Sequence, residues 1–463
     1  MKDKKGFNIN PFVLIFCIVV IAWIFTFIIT PGTLADGVYT PMPRNAFNFN
    51  NVFNLFRAIP MGLKDTSNLV ILILTIGAAL EIYKRTGAFD NGIAVLVQKF
   101  GQGSSTALLI AMILVFSVMG GFLGWIEVLI PFCPLVVAVV LALGYDSIVA
   151  VAVVILGCMG GFVAGPTNLY TVGVCNGILQ NMGILPEGSD VFVGLGFRVV
   201  IWAIMTAMSI AYILFYAKKV QKNPEKSLMA GVDVSDLVLE HKEEAHFTGR
   251  HAFVICSIVV AMIMTVIGMQ KGFGGVKWAI DDVSAVFLAS AIISGLVGGL
   301  KPGELADAFI AGAKSAIGGA MIVGFARAVY WIMNTANVNA TIIYNGIQLL
   351  KGLPPMGAGI GIILLVSLIN GLIPSGSGKG ALLSPILVPI AMELGLTSQS
   401  SVLAYQFGDG ITNMFWFSYG TLMIFLSYGK VSIQKWWKFF VPLMIAFFVL
   451  SFVCLGVAIA TGF

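Results

Sequence analysis

The chain has 463 residues, 59% hydrophobic and 10% charged, with a mean hydropathy of +0.98. Soluble domains carry about 25% charged residues, so this composition excludes a soluble globular protein and describes an all-α polytopic membrane protein set in a lipid bilayer. The net charge of +5 comes from basic residues beside apolar runs and points to no nucleic acid partner.

The first apolar run, 11–30, follows "MKDKK" without a small-residue cleavage site after it, and reads as a retained span. Further runs place spans near 66–83, 146–180, 192–217, 250–269, 283–300, 308–333, 399–428 and 439–461. About 20 apolar residues are needed to cross a hydrocarbon core. Two more apolar stretches, 106–143 and 356–394, are interrupted by "GGFLGW" and "PSGSGKG". The hydrophilic segment 218–249 links a first half, 1–217, to a connecting span, 250–269, and a second half, 270–463.

Basic residues near span ends mark the cytoplasmic side. "MKDKK", Lys84-Arg85, Lys218-Lys219-Lys222, Arg250, Lys301 and Lys430-Lys435-Lys438 satisfy that rule together only if 106–143 and 356–394 return to the side they came from. Both are therefore expected to be re-entrant hairpins, the first from the cytoplasm and the second from outside, with the N-terminus cytoplasmic. A shift of 254 residues lays Asn91-Gly92-Ile93 on Asn345-Gly346-Ile347, Gly103 on Gly357, Gly124 on Gly378 and Pro131 on Pro385. After each hairpin come a Leu-Gly corner, a span, and a break: "GPTN", Gly165 to Asn168, and "GDGITN", Gly408 to Asn413. The halves face opposite ways, so the expected fold is an inverted repeat of about nine transmembrane helices plus two re-entrant hairpins.

"IPSGSGKGALLSP" has the look of a phosphate-binding loop, but Ile373 stands where the first glycine is required and Gly380 follows Lys379 in place of Ser or Thr. It reads instead as a hairpin tip. Irregular backbone at membrane depth is tolerated only where protein buries it or it lines a cavity. Helix starts after the tips suit a carboxylate, and unwound carbonyls with Thr and Asn side chains suit a sodium ion. Helix packing accounts for most of the 53 glycines. Charges at this depth cost roughly 2.5–3.5 kcal/mol each on insertion scales. Those expected to matter are Glu127, Arg327, Lys379 and Asp409, whereas Glu81, Lys314 and Glu393 lie near span ends and receive no role. The six cysteines show no paired spacing and read as reduced thiols; His241, His246 and His251 read as a solvated loop, not a metal site.

"NGLIPSGSGKGALLSPILVPIAMELG", "YQFGDGITNMFWFSYGTLM", "GFARAVYWIMN" and "WIEVLIPFCPLV" resemble the anaerobic C4-dicarboxylate carrier family, most closely its YfcC branch, within the ion transporter superfamily. The resemblance implies an elevator mechanism with scaffold and transport domains, a homodimer, and a bacterial inner-membrane location. Family tip and break motifs fall on Ser375, Gly376, Ser377, Gly378, Thr167, Asn168, Thr412 and Asn413, with Gly165 opening the first break. Lys379 replaces an expected Gln, and "GPTNLY" replaces a Ser/Thr-rich break.

The expected function is secondary active transport of a small carboxylate-bearing metabolite, coupled to Na+ or H+, with no catalytic residues and no other cofactor. Lys379 would hold carboxylate, Asp409 and Glu127 would balance a cation or amino group, and Arg327 would pair with a carboxylate of substrate or protein. Na+ would sit near Thr167, Asn168, Thr412 and Asn413. The alternatives are a basic amino-acid exchanger of arginine/ornithine type and a channel.

Overall fold

The computed structural model describes residues 11–35, 38–88, 91–92, 105–186, 190–237, 247–270, 272–276 and 278–463. "MKDKK", Ile93, Gly103, His241 and His246 lie outside them.

The described helices are α1 (Pro11–Ile28), α2 (Phe49–Asp65), α3 (Ser67–Arg85), α4 (Ser105–Leu123), α5 (Cys133–Ala142), α6 (Ser147–Phe162), α7 (Val174–Asn181), α8 (Leu195–Lys222), α9 (Gly249–Gln270), α10 (Ile280–Val297), α11 (Pro302–Thr335), α12 (Val338–Gln348), α13 (Pro355–Leu372), α14 (Gly376–Glu393), α15 (Ser398–Asn413), α16 (Gly420–Tyr428) and α17 (Ile433–Thr461). Among the described residues, seven helices are long and apolar enough to cross a membrane: α3, α4, α8, α10, α11, α13 and α17.

Three elements were not expected. Strands β1 (Gly32–Ala35) and β2 (Val38–Pro41) form an antiparallel hairpin. It is fixed to α12 by Tyr39, which bonds the Thr341 hydroxyl at 2.9 Å and stacks on Tyr344. Helix α2 escaped the hydropathy reading because Asn50, Asn51, Asn54, Arg57 and Lys64 interrupt its apolar residues.

Helices α1–α3 pack with α9–α11, and α4–α8 pack with α13–α17. Each of these two bundles thus draws on both sequence halves. At the centre of the second lie α6, buried along its whole length, and α15, buried from Gln399 onward. Both have 16 residues. Each starts on a side-chain cap: Asp146 accepts from the Val149 amide, and Thr397 from that of Ser400.

The second break differs from its expected place. "GDGITN" is the last part of α15, and the non-helical stretch is Met414–Tyr419, just beyond it. The glycines there serve close packing: a Cβ on Gly408 would lie 2.5 Å from the Ile363 carbonyl oxygen, and one on Gly410 would lie 2.7 Å from the Val163 Cα. The first break, Val163–Asn168, does fall on "GPTN" and leads through the π-turn Leu169–Gly173 into α7.

Candidate functional site

The four interruptions meet inside the second bundle. The chain leaves α4 at Gly124, whose φ of +68° favours glycine, and a Cβ there would lie 2.6 Å from the Asn168 side-chain oxygen. Thr167 donates to the Phe122 carbonyl at 2.7 Å, so the first hairpin turn and the first break hold each other. Asn168 is buried and caps the π-turn by accepting from the Tyr170 amide at 2.9 Å; its Nδ2 has no partner among the described residues. Gly165, at φ +51°, leaves room for Gln406, whose Nε2 donates to the Phe162 carbonyl.

The second tip, Ile373–Ser375, ends at Ser375, whose Oγ accepts from the Gly378 amide at 3.2 Å and starts α14. A Cβ on Gly376 would lie 3.0 Å from Thr171 and 3.3 Å from the Asp409 carboxylate, so tip, first break and α15 converge at one glycine. Tyr405 fastens the tip by donating to the Gly376 carbonyl at 2.7 Å. Ser377 is half-buried and Gly378 exposed beside it.

Lys379 does not face open space. Its Nζ lies 2.7 Å from the Asp409 carboxylate, both side chains are fully buried, and it also donates to Asn370. The Asn370 amide in turn donates to the Asp409 carbonyl (3.1 Å), the Thr412 hydroxyl (3.0 Å) and Asn413 Oδ1 (2.8 Å). Thr412 closes onto the Gly408 carbonyl, and Asn413 lies 3.4 Å from the other Asp409 oxygen. The positive charge expected to hold substrate is neutralised by the negative charge expected to balance a cation. Glu127 opens the 3-10 turn Glu127–Phe132 and accepts from the Tyr419 hydroxyl at 2.9 Å, which joins the first hairpin to the second break.

Arg327 lies elsewhere, on α11 in the other bundle. It sits 3.7 Å from Asp65 and 4.1 Å from the centre of the Tyr330 ring. With Tyr330, Asn334 and Asn339 it faces Ser375 and Gly378 across a cavity of about 320 Å³ between the bundles. Asn339 is 6% exposed, and neither its nitrogen nor its oxygen has a partner among the described residues. A second cavity between the bundles, about 480 Å³, is lined by α3, α5, α11 and the end of α16, together with Asp236 and Leu237 of the linker. Glu81 pairs with Arg85, and Lys314 and Glu393 are exposed. No cluster of three or more metal-ligating side chains occurs among the described residues.

Sequence reading missed Asn370, Thr171, Gln406, Tyr405, Tyr419 and Asn339, although Asn370 opens the motif "NGLIPSGSGKG" and Gln406 stands in "YQFGDG". It also missed Arg198, fully buried in the first turn of α8, 5.8 Å from the centre of the Phe463 ring and without a hydrogen-bond partner among the described residues.

The profile of the C4-dicarboxylate anaerobic carrier family matches residues 10–460. The chain is 29% identical over 398 residues to YfcC of Escherichia coli (strain K12), provisionally named a basic amino acid antiporter; the match covers 83% of this chain and 76% of that one. It is 24% identical over 424 residues to an uncharacterised protein of Haemophilus influenzae, covering 90% and 80%. Among solved structures, the YdaH transporter of Alcanivorax borkumensis aligns over 98% of this chain and 99% of its own at 16% identity and a TM-score of 0.43. MtrF of Neisseria gonorrhoeae aligns over 97% and 95% at 20% identity and a TM-score of 0.41. A profile match along nearly its whole length and a set of membrane-spanning helices make the chain a multi-pass transporter of the C4-dicarboxylate anaerobic carrier family.

Proposed function

We propose that this carrier takes a small carboxylate-bearing metabolite, a C4-dicarboxylate or related organic anion, across the bacterial cytoplasmic membrane by secondary active transport. The observation that carries the reading is the 320 Å³ cavity, where Arg327 and the start of α14 face one space and Asn339, its amide buried without a partner among the described residues, lines the wall. A guanidinium beside a helix start suits a carboxylate, because charge-assisted donors and oriented amides converge on it. Small-molecule sites occupy about 300–1,000 Å³, and this one is at the small end.

In this reading α4–α5 and α13–α14 are re-entrant hairpins of an inverted repeat, the N-terminus and linker are cytoplasmic, and the second bundle slides along α11 as an elevator. Two features support sliding. The cavities flank successive stretches of α11, Ser315–Gly319 and Arg327–Asn334. The seam between α11 and α16 is also close and smooth, with Gly319 against Ser427 and Gly420 against Val323.

The coupling ion is Na+ or H+. Asn370 already engages Thr412 and Asn413, whereas Thr171 Oγ1 and Gln406 Oε1 have no partners among the described residues. These two oxygens are the better ligands for Na+, with Thr171 and Asp409 both against Gly376. Family resemblance adds a homodimer.

The name of the Escherichia coli relative favours a second reading, exchange of basic amino acids. Both substrates offer Arg327 a carboxylate and differ at their other end. Counterflow into proteoliposomes preloaded with a C4-dicarboxylate or with arginine, tracing the same labelled solute, separates them. Dicarboxylate-only counterflow supports the first reading, arginine-only counterflow promotes the second, and counterflow of neither by folded protein removes both. Repeating the assay with choline in place of Na+ tests the coupling ion.

A further inference from the structure

The linker is held along much of its described length. Ser227 and Tyr216 both donate to the Asp146 carboxylate, the same group that caps α6. The Leu228 amide donates to the Tyr216 hydroxyl at 3.1 Å, and Lys435 of α17 donates to the Leu228 carbonyl. Asp233 ties its own turn by accepting from the Ser235 amide and hydroxyl. All of these anchors belong to the second bundle or to the linker itself.

At Asp236 the linker reaches both bundles. Its carboxylate pairs with Lys430, which follows α16 in the second bundle and also lies 3.4 Å from the Asp233 carbonyl. Its carbonyl accepts from Lys84 of α3, in the first bundle, at 3.3 Å. Lys430 holds a left-handed backbone, φ +53°, a conformation that non-glycine residues adopt at some cost. Lys84, Lys430, Asp236 and Leu237 all border the 480 Å³ cavity, whose walls come from α3 and α11 on one side and α5 and Tyr428 on the other. The Tyr428 hydroxyl is buried in that wall with no hydrogen-bond partner among the described residues.

We infer that residues 227–237 form a strap across this cavity, with Asp236 as the latch that ties the two bundles together in the present conformation. The strap is anchored firmly on the second bundle, to which the solvent-exposed Asp236–Lys430 pair also belongs, and weakly on the first, through the single Lys84 contact to the Asp236 carbonyl. An arrangement of that kind releases easily: exposed pairs hold by no more than about a fivefold change in equilibrium. Release widens the mouth between the bundles; its consequence for transport rests on the sliding motion proposed above, but the strap itself does not.

The test reads cavity access without any substrate. In the full-length protein in detergent, Cys17 and Cys256, the exposed cysteines, are replaced by Ser, and Ser427→Cys places a thiol in the cavity wall. Modification by a neutral methanethiosulfonate reagent, whose approach the charges of the cavity wall do not steer, is then timed. Lys84→Ala, which removes the contact to the Asp236 carbonyl, is expected to speed modification about two- to fivefold. Raising ionic strength from about 0.01 M to 1 M, which shortens the Debye length from about 30 to 3 Å, is expected to do the same in the parent and add little in the variant. Should Lys84→Ala not fold, the salt response of the parent alone decides. A rate indifferent to both changes overturns the latch. Because no transport is measured, failure of the carrier to move dicarboxylate or arginine leaves this result standing.

Discussion

Lys379, in the first turn of α14, and Asp409, in α15, lie 2.7 Å apart with neither side chain reached by solvent. Removing one member of a buried pair leaves the other charge without compensation, a loss of about 3–5 kcal/mol, whereas removing both is far less costly. Lys379→Gln and Asp409→Asn are each expected to lower the unfolding temperature in detergent, and the double variant is expected to recover most of the loss. Additive losses in the double variant would separate the two residues.

Asn370 bonds to four partners: Lys379, the Asp409 carbonyl, Thr412 and Asn413. Each buried polar group left unsatisfied costs about 1–3 kcal/mol. Asn370→Leu is therefore expected to destabilise by several such increments and to abolish transport, while Asn370→Asp keeps an acceptor for Lys379 and loses the donors. Thermal unfolding followed in parallel with counterflow distinguishes the two: stability unchanged in Asn370→Leu would mean that the network is dispensable.

Arg327 and Asn339 should behave in the opposite way. Arg327 is partly exposed and its 3.7 Å approach to Asp65 is loose, so Arg327→Gln is expected to alter stability by less than about 1 kcal/mol. Hydrogen bonds to charged groups contribute about 1.5–3 kcal/mol, which predicts a rise in the half-saturating substrate concentration of roughly 10- to 100-fold. Asn339→Leu removes an unpartnered buried amide and is expected to unfold no earlier than the parent while transporting worse. Parent-like uptake kinetics in both variants would take the cavity out of the substrate path.

Gly408 tests the packing account of "GDGITN". A Cβ would meet the Ile363 backbone oxygen at 2.5 Å, and backbone has little freedom to retreat. Gly408→Ala is expected to lose about 1–3 kcal/mol by overpacking; by contrast Gly177→Ala, with nothing near the added carbon, is expected to be close to neutral. Equal melting temperatures in the two variants would contradict it.

Hydropathy made most long helices legible, since α1, α3, α8, α9, α10, α11 and α17 each coincide with an apolar run to within several residues. Glycine-rich interruptions marked where α4 and α13 end; at the first, Gly124 takes a positive φ, whereas the second turn, Ile373–Ser375, holds no glycine and the glycines that follow it open α14. What hydropathy could not show was α2, whose asparagines and basic residues dilute its apolar content, and the position of the second break, because a Gly-Thr-Asn sequence inside a packed helix looks the same as one that ends it. In the site, residue type pointed to Lys379 and Asp409 as charges at depth, but not to their mutual neutralisation, which depends on the distance between α14 and α15. Asn370 and Asn339 carry no charge, and only their surroundings distinguish them from other asparagines.

Because each bundle draws on both halves of the chain, their contacts are distant in sequence: Glu127 waits for Tyr419, 292 residues later, and the Phe162 carbonyl waits for Gln406, 244 residues later. At about 5–20 residues per second, a ribosome takes about 15–60 s to deliver Tyr419 after Glu127. For that interval the nascent protein holds a carboxylate and opened helix ends in the bilayer without their final partners. Biogenesis therefore has a vulnerable period set by chain topology, during which insertion machinery, lipid headgroups or water must satisfy those groups, and in which a chain stopped before α15 lacks what completes the second bundle's interior.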